Sequence, residues 1–130
     1  MSYIKHKSEE SVEDYLETIL ILSRRLSQVR SIDIATELSY SKPSVSIAMK
    51  NLRTAGYILV SSEGFIQLTN TGLKLAEETY DRHQTLSAML ISLGVSQETA
   101  LIDACRIEHD LSAESFAAIK KHFKSIHPRK

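Results

Sequence analysis

The sequence predicts a mainly α-helical fold, with a winged helix-turn-helix and its two-stranded wing in the N-terminal half and further helices after it. The composition is 42% hydrophobic and 25% charged, with four glycines and two prolines in 130 residues, which is typical of a globular chain rich in helix. Apolar residues recur at three- and four-residue spacing along most of the chain. The stretch ILVSSEGFIQLT at 58–69 alternates instead, which indicates one β-hairpin with Gly64 in its turn.

Two helices are predicted before residue 40. The first runs from Ser11 to Leu26, and its apolar residues follow an amphipathic pattern. Asp14 and Glu17 lie three positions apart in it and therefore share a face. The second is short, from Ser31 to Leu38, with Ser31 as its expected N-cap.

The third helix has the clearest boundaries, in YSKPSVSIAMKNLRTAGY at 40–57. Ser41 is suited to cap it, Pro43 is tolerated only in a first turn, and Gly56 is suited to end it. An inward stripe of three residues repeats at four and three positions: Val45, Met49 and Leu52.

Three more helices follow the hairpin, each with a polar residue at its start. They are a long helix opened by Thr69 or Thr71 and continued through Leu93 to a stop at Gly94, a helix capped by Ser96, and a last helix from Ser112 to about Lys124.

The order of helix, short helix, turn, third helix and hairpin is that of a winged helix-turn-helix, whose third helix enters the major groove of DNA while the wing lies along the phosphates. The formal net charge is zero, so a nucleic-acid partner must be argued from local charge. No acidic residue lies between Glu37 and Glu63, and three cations fall in this interval: Lys42, Lys50 and Arg53. This favours a DNA-binding surface.

Short serine side chains on the same helix suit contacts with phosphates or base edges: Ser41, Ser44 and Ser46. Ordinary explanations stay open at this point, because serines also cap helices and exposed cations are also merely solvated. Winged helices also serve as protein-interaction modules.

A second constellation lies in CRIEHD at 105–110. If this segment is helical, Cys105, Glu108 and His109 stand at positions i, i+3 and i+4 and converge on one side. A single cysteine cannot form an intramolecular disulfide. A four-ligand zinc finger would need more Cys or His, and HExxH is absent.

A metal site at CRIEHD would need further ligands, and Asp14, Glu17 and His83 are the natural candidates. Carboxylates and imidazoles together suit Mn²⁺ or Fe²⁺. Each residue also has a structural interpretation: solvated acids, hydrogen-bonded histidines, and a cysteine acting as a small core hydrophobe. A Cys105–His109 nucleophile has no visible oxyanion site or orienting residue.

Five stretches resemble the diphtheria toxin repressor and manganese transport regulator family of metal-dependent repressors, and the resemblance spans about residues 13–123. They are EDYLETIL at 13–20, SKPSVSIAMKNLRTAGYI at 41–58, LTNTG at 68–72, RHQTL at 82–86 and ACRIEHDLS at 104–112. The resemblance implies a metal-activated repressor that binds a palindromic operator as a homodimer. Its DNA-binding domain would be 1–72, and its helical metal-binding and dimerisation domain 73–130, without the SH3-like third domain of longer members.

The six ligand positions of this family fall on the residues already singled out: Asp14, Glu17, His83, Cys105, Glu108 and His109. Asp14 is similar to the manganese branch and Cys105 to the iron branch. The implied cofactor is therefore Mn²⁺ or Fe²⁺, with Co²⁺, Ni²⁺ or Zn²⁺ as substitutes in vitro. Ser87 and Leu101 replace ligands of the iron branch's ancillary site, so we expect no such site.

On the third helix, Ser41 and Pro43 match the base-facing positions of the family. Ile47 stands where a polar or charged residue is common, so the operator sequence cannot be carried over from relatives.

The chain is expected to be cytoplasmic, because MSYIKHKSEE has no signal-peptide core and no stretch is apolar enough for a membrane span. We expect no membrane partner, no small-molecule substrate and no enzymatic activity. Two alternatives remain: a metal-independent winged-helix regulator responding to an organic ligand, and a small thiol or metal hydrolase.

Overall fold

A computed structural model describes residues 7–126, with side chains from residue 12 onward. The chain forms two compact units, one reaching to Thr79 and the other beginning at Tyr80. Helices dominate both, which confirms the mainly α class. The functional assignment of domains 1–72 and 73–130 stays a prediction, and its ends, residues 1–6 and 127–130, lie outside the described residues.

The first unit contains three helices, a hairpin and the beginning of a fourth helix. Its elements are α1 (Lys7–Arg25), α2 (Ser31–Leu38), α3 (Lys42–Thr54), β1 (Ile58–Val60), β2 (Ile66–Leu68) and the start of α4 (Asn70–Ser92). Strands β1 and β2 are antiparallel, with Ile58 opposite Leu68 and Val60 opposite Ile66. Helix α2 packs on α1 and α3, and each strand packs on a helix. The predicted stripe of α3 is buried, with Val45, Met49 and Leu52 at most 4% exposed.

The ends of α3 follow the predicted signals. The Ser41 hydroxyl accepts the backbone N–H of Ser44 at 3.3 Å, and Pro43 lies in the first turn. After Thr54 the chain turns at Gly56, which has φ +88°, a conformation that glycine adopts without steric cost. The Ser41 cap and Pro43 therefore define the start of α3, and Gly56 defines the point at which the chain turns toward the hairpin.

The start of α4 is fixed by Thr69. Its hydroxyl accepts the backbone N–H of Gly72 at 3.1 Å and donates to the carbonyl of Gly56 at 2.7 Å. At Gly72 a Cβ atom would lie 2.0 Å from the backbone oxygen of Tyr57, so only glycine allows α4 to approach the chain before β1 this closely. Of the two predicted starts, Thr69 and Thr71, it is Thr69 that caps α4, and it also ties α4 to the loop before the hairpin.

One predicted helix start and one predicted N-cap were wrong, although α2 spans Ser31–Leu38 as predicted. Helix α1 begins at Lys7 rather than Ser11. The N-cap of α2 is Arg30 rather than Ser31, and the Asp33 carboxylate accepts the backbone N–H of Arg30 at 2.9 Å. An ionised carboxylate in the first turn also interacts favourably with the helix dipole, so Asp33 stabilises this end of α2 without a serine hydroxyl at the N-cap.

The second unit is a small helical assembly made of the remainder of α4, α5 (Gln97–Glu108) and α6 (Ala113–Ile126). As predicted, the Ser96 hydroxyl caps α5 by accepting the backbone N–H of Thr99. The core consists of three buried residues and the partly buried ones around them: Leu86, Ala104 and Phe116, with Met89, Ile107, Leu111 and Ile119.

An apolar groove of about 400 Å³ lies between the end of α4 and α6, lined mainly by Met89, Leu93, Ile119, Phe123 and Ile126. Leu93 is 74% exposed and Ile126 57% exposed beside it. Exposure of large apolar side chains to water is unfavourable in free energy, so this face is suited to contact with another apolar surface.

Candidate metal centre and DNA-binding surface

The end of α5 brings three potential metal ligands together. The Sγ of Cys105, a carboxylate oxygen of Glu108 and a ring nitrogen of His109 lie within 4.8 Å of one another. Helix α5 ends at Glu108, but His109 keeps helical dihedrals (φ −78°, ψ −18°). The i, i+3, i+4 spacing therefore keeps the side chain of His109 on the same helix face as those of Cys105 and Glu108.

Helix α4 adds a fourth potential ligand within the same unit. A ring nitrogen of His83 lies within 4.8 Å of a carboxylate oxygen of Glu108. The cluster is largely removed from solvent, since Glu108 is 1% exposed and His109 6%. The Nε2 atom of His109 lies 3.6 Å from Oε1 of Glu108. Electrostatic interactions are strong in such a buried place, because little water screens them.

Arg82 joins the helices that carry these side chains, and the sequence did not reveal it. Its Nη1 donates to the carbonyl of Glu108 at 3.2 Å and to that of Leu111 at 3.3 Å. Its guanidinium also lies 5.5 Å from the centre of the Phe116 ring. The last carbonyls of a helix have no partner within it, so Arg82 satisfies the end of α5 and fixes it on α4 beside His83.

The remaining predicted ligands lie on α1, in the first unit. Asp14 is partly buried and Glu17 is 7% exposed, one turn apart. Their burial argues against the alternative that these two acids are simply solvated side chains on the surface. Ser87, at one of the ancillary-site positions, donates its hydroxyl to the backbone carbonyl of His83 at 2.7 Å.

The donor set of the second unit fits a divalent transition metal. One thiol, one carboxylate and two imidazoles supply negative charge and nitrogen and sulfur lone pairs within a small, mostly buried volume. A buried carboxylate is stabilised when a cation offsets its desolvation. The residues present thus suit the metal that the sequence predicted.

The predicted DNA-binding residues all belong to α3 and its N-cap, and each is exposed. They are Ser41, Lys42, Pro43, Ser44, Ser46, Ile47, Lys50 and Arg53. Ser46, Lys50 and Arg53 lie along one side of α3 and line a shallow cavity of about 240 Å³ that Ser31 and Val60 also border. A hydroxyl and two cations in one depression suit a phosphate group.

The tip of the wing carries the opposite charge. The Ser62 hydroxyl donates to the Glu63 carboxylate at 2.6 Å, and this hydrogen bond lowers the pKa of Glu63. The side chain therefore stays ionised near neutral pH. Contacts with phosphates are thus more favourable on α3 than at the tip of the hairpin.

Comparison with protein-family models places both units in one family. Residues 8–64 match the iron dependent repressor N-terminal DNA binding domain, and residues 69–128 match the iron dependent repressor metal binding and dimerisation domain. The first match contains α3, and the second contains His83 and CRIEHD.

Individual relatives agree with this assignment. The transcriptional regulator MntR of Escherichia coli O6:H1 is 39% identical over 111 residues, covering 85% of this chain and 72% of the relative. Two solved structures are similar: the manganese regulator SloR (28% identity, TM-score 0.78) and the apo form of the manganese-activated repressor ScaR (27%, TM-score 0.73). They cover 87% and 85% of this chain, which spans about half, 53%, of each of those chains.

No helix in the described range 7–126 is both long enough and apolar enough to cross a bilayer. The relatives confirm the resemblance identified in the sequence and favour metal-dependent regulation over the alternative of an organic effector. The chain belongs to the iron-dependent repressor family of metal-dependent transcriptional regulators.

Proposed function

We propose that this protein is a repressor that binds a palindromic operator as a homodimer when Mn²⁺ or Fe²⁺ is bound, and that it acts in the cytoplasm without turning over a substrate. The observation that carries the proposal is the cluster of Cys105, Glu108, His109 and His83, of which Glu108 and His109 are buried, in a chain that also presents a basic recognition helix. Both parts of a metal-controlled switch, the ligands and the DNA-reading surface, are present in one polypeptide.

The proposed metal site draws on both units. Asp14 and Glu17 of α1 would join the four ligands of the second unit, which gives six donors in all. A divalent ion held by them supplies positive charge that offsets the three carboxylates. Without that charge, Asp14, Glu17 and Glu108 repel one another when they approach.

Ligands on α1 would connect metal binding to DNA binding. Helix α1 belongs to the unit that carries α3. An ion that engaged ligands on both units would therefore restrict how the recognition helix α3 moves relative to the second unit. The two recognition helices of the dimer must reach major-groove faces about 34 to 36 Å apart. Restricting their relative motion raises operator affinity by about 10- to 100-fold for an allosteric coupling of typical size.

The homodimer is supported by the apolar groove of the second unit. Its exposed Leu93 and Ile126 would be covered by a second copy, and the matching family model describes a dimerisation domain. A twofold dimer also accounts for a palindromic operator, because each subunit reads one half-site.

The choice of metal is balanced between two kinds of ligand. The carboxylates of Asp14 and Glu17 are hard oxygen donors that favour Mn²⁺. The thiolate of Cys105 favours Fe²⁺ and the softer ions Co²⁺, Ni²⁺ and Zn²⁺. The similar proteins SloR and ScaR are a manganese regulator and a manganese-activated repressor.

The proposal predicts that His109→Ala loses the response to metal. Operator duplexes are first selected from a random library with the Mn²⁺-loaded protein, and binding is then measured by fluorescence anisotropy during anaerobic metal titration. Wild type should bind at least about 10-fold more tightly with Mn²⁺ than with chelator. His109→Ala should bind equally weakly in both, because a buried ligand is missing.

Asp110→Ala is the matched control, because Asp110 is the exposed neighbour of His109 in the same turn. It should respond to Mn²⁺ as wild type does. Equal operator binding by wild type and His109→Ala, with and without metal, would contradict the proposed function.

A further inference from the structure

We propose that Ile47 reads the C5-methyl group of one thymine in each operator half-site and so sets the sequence that this protein recognises. The inference rests on the proposed function, since it requires α3 to enter the major groove.

The first observation is the exposure of Ile47. It is 64% exposed, the highest value for a large apolar side chain in the part of the first unit whose side chains are described. The other large apolar residues of α3 are at most 4% exposed. Isoleucine is also a weaker helix former than polar residues such as lysine or glutamine. Neither packing in the core nor helix propensity therefore explains why an isoleucine stands at this position.

The second observation is the set of neighbours around Ile47. Pro43, four positions earlier on the same side of α3, is also exposed, so the two form a small apolar spot. Ser46 and Lys50 border it and line the basic depression described above. An apolar spot beside a phosphate-binding edge is the pattern of a helix whose centre contacts base edges.

The chemistry of the major groove selects the base. Guanine, adenine and cytosine present only hydrogen-bond donors and acceptors there, whereas thymine also presents a methyl group. The side chain of Ile47 has no donor or acceptor and can only make apolar contact. Thymine is therefore the one base whose edge gains from this residue.

The charge of α3 favours duplex DNA over a protein as the occupant of this spot. Lys42, Lys50 and Arg53 are exposed around it, and the sequence has no acidic residue between Glu37 and Glu63. Acidic side chains would repel the phosphates of DNA, so a DNA-binding surface must lack them. An apolar protein partner imposes no such requirement.

The test replaces each thymine of a selected operator, one at a time, by deoxyuridine, which removes only the methyl group. Affinities are measured with the Mn²⁺-loaded protein at low salt, where phosphate contacts keep even weakened variants on the DNA. Wild type should lose about fourfold per half-site at one thymine position, the value of one buried methyl-sized group. Ile47→Ala should bind the thymine and uracil duplexes equally.

Ile32→Ala is the matched control, because Ile32 is also an exposed isoleucine of the first unit, at 43%, but lies on α2. It should keep the uracil penalty of wild type. As a second readout, Ile47→Gln should select adenine where wild type selects thymine, since glutamine pairs with the adenine edge.

The outcomes separate this inference from the proposed function. If wild type with Mn²⁺ selects no duplex at all, both fail, and pull-down of a protein by the same α3 surface would point to an interaction module instead. If wild type selects an operator but no thymine methyl matters, or if Ile47→Ala keeps the penalty, only the assignment of Ile47 is overturned.

Discussion

Replacing Lys50 and Arg53 together by alanine should lower operator affinity on the order of 1,000-fold at 0.1 M salt. Each cation lines the depression on α3, and we assign one phosphate contact to each. A dimer then loses four contacts, and the slope of log K against log salt becomes shallower by about 3.6. Both side chains are exposed and alanine is a good helix former, so the fold should persist.

The measurement is operator binding by anisotropy at several salt concentrations with saturating Mn²⁺. Lys121→Ala with Lys124→Ala removes the same charge from exposed positions of α6 and serves as the control. The double variant on α3 should lose affinity for every operator sequence alike, since phosphates carry no sequence information. An unchanged salt slope would contradict the assignment of α3 as the phosphate-contacting helix.

Glu108→Gln should remove most of the stabilisation that metal confers. At a metal concentration 100 times its Kd, a single site stabilises wild type by about 2.7 kcal/mol. Glutamine keeps the shape of this buried side chain but removes its charge. Loss of a ligand should raise the Kd on the order of 100-fold, given that second-sphere partners alone account for 10- to 100-fold. The stabilisation then falls to about 0.5 kcal/mol or less.

This effect is measured by chemical unfolding with and without Mn²⁺. Glu98→Gln makes the same chemical change in the exposed first turn of α5 and should keep the full metal effect. If Glu108→Gln gains as much stability from Mn²⁺ as wild type, Glu108 is not a ligand.

Much of the fold followed from local chemistry that a sequence displays. Ser41 and Ser96 cap helices where their hydroxyls predicted it, and Gly56 turns the chain at positive φ. The bounds of α2 were predicted correctly, but its N-cap is Arg30 rather than Ser31, and the Asp33 carboxylate three residues later accepts the backbone N–H of Arg30. Helix ends are decided by such small differences between neighbouring acceptors.

In the candidate site, too, some residues could be identified from the sequence and others could not. Cys105, Glu108 and His109 could be grouped from spacing alone, because a helix brings i, i+3 and i+4 together. Arg82 could not be assigned a role, because its acceptors, Glu108 and Leu111, lie 26 and 29 residues later in the chain. Contacts of that range depend on how α4 and α5 pack, which periodicity does not determine.

The most direct test of metal-controlled repression is the Mn²⁺ binding isotherm of the wild-type protein, recorded anaerobically with and without saturating operator DNA. Linkage requires DNA to tighten metal binding by the same factor by which metal tightens DNA binding. We predict that operator lowers the Kd for Mn²⁺ by about 10- to 100-fold, a coupling of typical allosteric size. An identical Kd in both isotherms would show that the metal ligands and the recognition helix act independently, which would contradict the account.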